Sequence, residues 1–169
     1  ALMISALYTV AAHGEQRELA GKIVRLHIVA HSDSDSDQRL KLQVRDRVAA
    51  MYAEMLSGAD SQVQAEEIIR EHLAKTEEEA GRVLRENGCD LPVKARLVKM
   101  DFPERHYDDV TLPAGEYDAL RVVVGEGAGR NWWCVIFPQL CINATNSDLR
   151  SKAAKAGMTD KELELLFGK

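Results

Sequence analysis

The stretch GEGAGRNWWC, Gly125–Cys134, combines glycines, an arginine and two tryptophans. Glycine-rich loops can cradle phosphate where they lead from a strand into a helix. Here Arg130 replaces the third glycine of the dinucleotide fingerprint, and sequences with strand character lie on both sides. We therefore expect a hairpin with a wide or bulged turn. Trp132 and Trp133 are then either core residues or anchors for a protein partner, since tryptophan and arginine are enriched at interface hot spots.

A histidine and several carboxylates could support hydrolysis or bind a metal. His27 would be a general base with Asp33 or Asp46 beside it, but no serine or cysteine stands in a recognisable nucleophile pattern. Asp33, Asp35 and Asp37 imitate the start of an EF-hand loop, yet the glycine and glutamate that this loop requires are missing. We expect no metal site and no cofactor. The aspartates fit a helix N-terminus, where the helix dipole stabilises carboxylates.

A cationic sheet face is a further candidate. The alternation in Lys22–Ala30 predicts a strand with one apolar face and one mixed face. The side chains that could share the mixed face are Arg25, His27, Lys94, Arg96 and Arg121. This face is either simply solvated or a docking surface for an acidic partner.

Two long helices and several strands must position these residues. Apolar residues recur at helical spacing from Asp37 to Met55 and again from Ser61 to Leu84, and Thr159 with Glu162 forms a capping box before a short C-terminal helix. The second half alternates like strands, and the Trp132–Phe137 strand is apolar on both faces, which favours a central position. The expected fold is α+β: a mainly antiparallel sheet with two long helices packed on one face, an α/β sandwich.

The 169 residues carry a net charge of −5 and contain no long linker. We expect one globular domain over 21–169, no nucleic-acid partner, and membrane contact only through the N-terminus. Residues 1–20 are expected to be the remnant of an export signal or anchor, or an N-terminal helix. The apolar part, Ala1–Ala12, is too short to span a bilayer, which takes about 20 apolar residues.

Two blocks resemble a known family. Leu112–Cys141 is similar to the signature of the stage II sporulation protein R family of endospore-forming bacteria, and Arg25–Asp46 resembles its N-terminal block. The resemblance runs from about Lys22 to Ile142. It implies a signal and not an enzyme: a protein secreted across the forespore membrane into the intermembrane space. There it would activate a membrane-embedded aspartic protease that processes pro-sigma-E.

Alternatives remain open at this point. An exported hydrolase, for example one acting on the cell wall, would need a cluster around His27 and the nearby aspartates. Because the resemblance implies a compartment outside the cytoplasm, where disulfides persist, Cys134 and Cys141 are candidates for a bridge. Cys89 would then be a free thiol. The alternative is three reduced cysteines. The partner-binding candidates are Arg25, His27, Arg121, Arg130, Trp132 and Trp133.

Overall fold

The structure is a computed structural model that describes residues 14–107, 110–140 and 146–168. A helical stretch, 14–20, precedes the first strand. The elements that follow are β1 (Val24–Val29), α1 (Asp35–Met55), α2 (Gln62–Glu71), α3 (Leu73–Glu86), β2 (Val93–Phe102), β3 (Arg105–Tyr107), β4 (Val110–Leu112), β5 (Gly115–Val124), β6 (Asn131–Phe137), α4 (Asn146–Lys155) and α5 (Asp160–Phe167).

Four strands form the main sheet in the order β2-β5-β1-β6. β1 pairs parallel with β5, whereas β1–β6 and β2–β5 are antiparallel. β3 and β4 form a separate antiparallel hairpin. Two of the three pairings in the main sheet are antiparallel, so the expected α+β class with a mainly antiparallel sheet is confirmed.

Helices α1, α2 and α3 cover one side of the sheet. Leu26 and Ile28 of β1 are fully buried against this layer together with Val44 and Leu84. The Tyr52 and Thr76 hydroxyls hydrogen-bond at 2.7 Å in the buried contact between α1 and α3. This pair satisfies two polar groups that would otherwise destabilise the helix layer.

The second long helix expected from the apolar spacing is two helices with a break at His72. Its ring Nδ1 lies 2.7 Å from the Ile68 carbonyl oxygen, which the His72 amide would bond in a continuous helix. That amide instead donates to Ile69 O at 3.1 Å. The local side-chain bond competes with the helical ladder and divides the segment, an effect that apolar periodicity cannot reveal.

A second core fills part of the opposite side of the sheet. It contains Leu19, Leu112, Tyr117 and Leu166, so the 14–20 stretch, the β3–β4 hairpin and α5 all cover this side. The expected capping box of α5 is present, with Thr159 and Glu162 bonded reciprocally. Glu162 also accepts from Lys22 Nζ at 2.8 Å. Where the 14–20 stretch, the β3–β4 hairpin and α5 pack on it, the sheet is therefore covered on both sides.

The tryptophan strand lies at the edge of the sheet, not at its centre. β6 pairs with β1 alone, and both of its faces are apolar because one meets each core. The glycine stretch is consequently no hairpin: β1 lies between β5 and β6, and the loop crosses over the end of β1. The expected hairpin is wrong because the sequence does not show that a distant strand is inserted.

No helix of the described residues is both long and apolar enough to cross a membrane.

Candidate partner-binding surface

One transverse row of the sheet brings several predicted site residues together. Arg96 pairs with Arg121, Arg121 with His27, and His27 with Trp133. Paired residues in a sheet project to the same face, so the row lies on the side opposite α1, α2 and α3. The sequence analysis offered this shared face for Arg96, Arg121 and His27, and the register confirms it for these three; Trp133 was not part of that prediction.

His27 is buried, with 3% of its surface exposed. Burial lowers the pKa of its imidazole to about 4, and the nearby charges of Arg121 and Arg25 act in the same direction. The Asn131 side chain favours the protonated form, but neither ring nitrogen makes a hydrogen bond of good geometry. The expectation that His27 lies on an open surface is therefore wrong: Phe102 and Trp133 flank its ring.

Arg25 is also buried, with no exposed surface. Its guanidinium lies 4.1 Å from the centre of the Phe102 ring and 5.2 Å from that of Tyr117. Nη2 donates to the Tyr107 hydroxyl at 3.0 Å, whereas Nε and Nη1 have no hydrogen-bond partner in the part of the chain that the structure describes. Arg25 cannot dock a partner directly, because the second core covers it.

Arg121 is exposed, and so is Arg96 opposite it. Neither makes an ion pair with a carboxylate of the described residues, whereas Lys94 on the same face lies 3.8 Å from Glu77. Like charges directly opposite each other on a sheet are destabilising. The open part of this face is therefore cationic, as expected, but it is built from Lys94, Arg96 and Arg121 without Arg25 and His27.

Trp132 and Trp133 project to opposite sides of β6 and are only partly buried. The guanidinium of Arg45 lies 4.5 Å from the Trp132 ring, and that of Arg105 lies 4.3 Å from the Trp133 ring. Both indole Nε1 atoms are buried without a hydrogen-bond partner. Both tryptophans thus contribute to the cores and also contact a cleft of about 540 Å³ at the sheet edge. The cleft is lined by Arg105, His106, Tyr107, Arg130, Asn131, Trp132 and Trp133.

Arg130 lies at the rim of this cleft, at the start of the tryptophan strand. Its side chain is exposed and contacts Asp33 at 3.5 Å, and its amide donates to the Asp33 carboxylate at 2.7 Å. Lys41 Nζ donates to the Arg130 carbonyl at 3.1 Å. These main-chain contacts hold the segment against α1 while leaving the guanidinium accessible.

The glycines before Arg130 permit close packing of the loop over β1. A Cβ on Gly129 would lie 2.2 Å from the Ser32 carbonyl oxygen, and one on Gly125 would lie 2.4 Å from His31 Nδ1. Gly125 also has a φ of 56°, which L-residues rarely adopt. The Glu126 amide donates to His31 Nδ1 at 3.0 Å. The loop is a tightly packed crossover that fixes the start of β6.

The structure does not bring His27 together with Asp33 or Asp46, the residues that a hydrolase would need. His27 points away from the helix layer, whereas Asp46 lies on α1 and bonds Arg45 at 2.8 Å. Asp33 bonds the Arg130 amide, and the charges that affect His27 belong to arginines. Asp35 and Asp37 occupy the first turn of α1, as predicted. Across the described residues no group of histidine, cysteine and acidic side chains has a geometry that could hold a metal ion.

The cysteines divide into two kinds. Cys89 is a free, half-buried thiol, and Cys134 is disulfide-bonded. Cys141 lies outside the described residues, so the pairing of Cys134 with Cys141 stays a prediction.

Sequence reasoning missed Arg105 and Tyr107. Tyr107 accepts from Arg25 and donates to Trp133 O at 2.9 Å, and Arg105 stacks on Trp133. They lie on a three-residue strand in the loop between Pro103 and Pro113, too short for any periodicity. The only available signal was the density of polar and aromatic residues in ERHYDD.

Comparisons with known proteins identify the family of this chain. The family model of stage II sporulation protein R matches residues 20–147. A Bacillus subtilis (strain 168) protein described as stage II sporulation protein R is 35% identical over 146 residues. The match covers 83% of this chain and 65% of that relative, so the chain spans less than two thirds of the relative's length. No solved structure matches the chain. The chain belongs to the stage II sporulation protein R family.

Proposed function

We propose that this sporulation protein is a secreted signal that binds a membrane-embedded aspartic protease and shifts it towards its active state. The protease then processes pro-sigma-E. Family membership supports the role in sporulation, and the resemblance of the Arg25–Asp46 and Leu112–Cys141 blocks supports the finer mechanism. A ligand can shift such an equilibrium only by binding the active state more tightly than the inactive one. The chain therefore needs a surface that recognises one conformation of its partner.

The observation that carries this proposal is the exposed pair Arg96 and Arg121. The two cations lie opposite each other on β2 and β5, and no carboxylate of the residues that the structure describes forms an ion pair with either of them. Such an arrangement costs folding stability. A partner that brings carboxylates to this face relieves the repulsion on binding. The repulsion that lowers the stability of the free protein therefore adds to the free energy of binding.

The negative charge of the rest of the protein determines how an acidic partner is oriented towards the Arg96–Arg121 face. The protein carries a net charge of −5, so a local cationic face on an otherwise acidic molecule orients an approaching acidic surface. Complementary charges of this kind raise the association rate and fix the orientation more than they add affinity. We assign the acidic surface to the protease.

The proposed place of action is the space between the two forespore membranes. The export signal or anchor belongs to 1–20, most of which lies outside the described residues. We favour a ligand over a hydrolase because His27, the only base suggested for hydrolysis, is buried and remote from Asp46. The cationic face needs no catalytic group to act.

The test is reconstitution of the purified chain with the membrane-embedded protease in vesicles, followed by pro-sigma-E cleavage. Arg121→Glu should slow association and make it less sensitive to salt. Arg85→Glu is the matched control, since Arg85 is exposed on α3 in the helix layer on the other side of the sheet. If the chain fails to stimulate cleavage, protease activation is wrong. If Arg121→Glu and Arg85→Glu stimulate equally, the surface is wrong.

A further inference from the structure

The cleft beside β6 presents two arginines from different elements. Arg105 comes from β3, and its guanidinium lies 4.3 Å from the centre of the Trp133 ring, while Arg130 comes from the end of the glycine crossover. An arginine held over an indole can still present guanidinium N–H groups to a planar acceptor. The contact also restricts the side chain, which reduces the entropy lost on binding.

A third arginine lies directly behind the cleft. Arg25 is fully buried and reaches the cleft wall through Tyr107, whose hydroxyl accepts from Arg25 and donates to the Trp133 carbonyl. Burial lowers the pKa of Arg25, and the nearby Arg105 charge contributes in the same direction. Two guanidinium nitrogens of Arg25 have no acceptor among residues 14–107, 110–140 and 146–168. A buried charge without a counter-charge is unfavourable, because it has lost its hydration.

Each described carboxylate around the cleft already contacts a basic side chain, and for Asp33 that side chain is Arg130 of the cleft itself. Asp33 contacts Arg130 at 3.5 Å, Glu104 contacts His106 at 3.2 Å, and Asp46 contacts Arg45 at 2.6 Å. All three carboxylates are exposed. Arg105 makes no ion pair with any carboxylate of the described residues. Among the described residues, the region around Trp133 therefore holds one cation over the indole and one buried cation without a carboxylate paired to either.

We propose that this cleft binds an acidic side chain from an extended peptide segment of the protein partner, with Arg105 and Arg130 holding the carboxylate. The inference rests on the proposed function for the existence of that partner and adds a second contact site to the Arg96–Arg121 face. The bound carboxylate pairs with Arg105 in the bidentate geometry that guanidinium favours. It also supplies, across Tyr107, the negative charge that Arg25 lacks.

Nucleic acid fits this cleft less well. Base recognition by tryptophan requires an open indole face, and here Arg105 and Arg45 cover the two rings. A polyanion is also repelled by the net charge of −5. A short acidic segment meets the local cations and avoids the rest of the surface.

The experiment titrates the full chain, labelled with ¹⁵N, with acetylated hexaglutamate amide at low salt. Hexaglutamine amide of the same length is the peptide control. The Trp133 indole N–H resonance should shift saturably with hexaglutamate and stay unchanged with hexaglutamine. Arg105→Gln should weaken binding about tenfold or more, the usual effect of losing a hydrogen bond between charged groups. Arg85→Gln, at an exposed position on α3 that does not line the cleft, should bind like the wild type.

Three outcomes overturn the proposal. The first is a Trp133 resonance that does not respond to hexaglutamate. The second is that Arg105→Gln and Arg130→Gln, both folded by circular dichroism, bind hexaglutamate as tightly as the wild type. The third is that inorganic phosphate produces the same shift at lower concentration, which reassigns the cleft to a small anion. None of these measurements uses the protease. Failure here therefore leaves protease activation standing, and failure of pro-sigma-E cleavage leaves peptide binding standing.

Discussion

Arg96 and Arg121 lie directly opposite each other on β2 and β5, both exposed and without an ion-pair partner among the described residues. The sheet tolerates this repulsion between two like charges. The pair lies beside the second core and on the same row as Trp133. The arrangement makes the surface cationic at the expense of stability, and the two effects can be separated by mutation.

Arg121→Glu should raise thermal stability while lowering signalling. The new glutamate faces Arg96, so an opposite-charge pair replaces a like-charge pair, a change of about 0.2–1 kcal/mol in the free energy of unfolding. Differential scanning calorimetry of wild type and variant measures it. Arg96→Glu should behave in the same way. A variant less stable than the wild type would show that Arg121 makes a structural contact that its exposure conceals.

Gly129→Ala should destabilise the protein strongly. The new Cβ would lie 2.2 Å from Ser32 O and 2.5 Å from Ser32 C, both backbone atoms that cannot rotate away. Overpacking typically costs about 1–3 kcal/mol, and a clash with backbone lies at the upper end. Gly58→Ala is the control, since its Cβ would meet no atom within 4 Å. Urea unfolding of both variants should separate them, and equal midpoints would contradict the tightly packed crossover.

The contrast between β1 and β6 shows what local sequence can and cannot predict. Alternation located β1 and grouped Arg25 with His27, because side-chain period is a local property. It did not show that Phe102 and the β3–β4 hairpin cover them, since those contacts come from distant residues. The two apolar faces of β6 correctly indicated cover on both sides. They carried no information about its neighbours, which is why the strand was misplaced to the centre.

The surface residues also differ in how far local sequence could predict their positions. The sequence offered Arg121 for the cationic face only on the condition that its strand brings it to the side of His27, and the register of β5 with β1 and β2 does so. Arg105 and Tyr107 were missed because a three-residue strand has no measurable period. Caps were predictable: Thr159 with Glu162 and the acidic first turn of α1 are both present, since caps depend on neighbouring residues.

Cys134→Ser should destabilise the oxidised protein and leave the reduced protein nearly unchanged. We expect a bridge to Cys141, whose short loop corresponds to about 2.5 kcal/mol by chain entropy. Peptide mapping by mass spectrometry without reductant tests the pairing, and thermal unfolding with and without reductant tests the energy. Cys89→Ser is the control, because Cys89 is a free thiol. A peptide that links Cys89 to either other cysteine would show the pairing to be wrong.

His27 should make stability fall as the pH is lowered. In the folded protein burial holds the pKa of His27 at about 4, against 6.5 for an unperturbed histidine. Between these two values the unfolded chain binds a proton that the folded protein does not, so acid favours unfolding. The contribution is fully present above pH 6.5 and lost by about pH 4, with an upper limit of about 3 kcal/mol. Urea unfolding at a series of pH values measures this loss of unfolding free energy.

His27→Gln should flatten the dependence of the unfolding free energy on pH and leave pro-sigma-E cleavage at neutral pH largely intact, because the buried ring touches no partner. A slope unchanged in His27→Gln would contradict the buried neutral imidazole, and loss of cleavage in a stably folded His27→Gln variant would revive the hydrolase alternative.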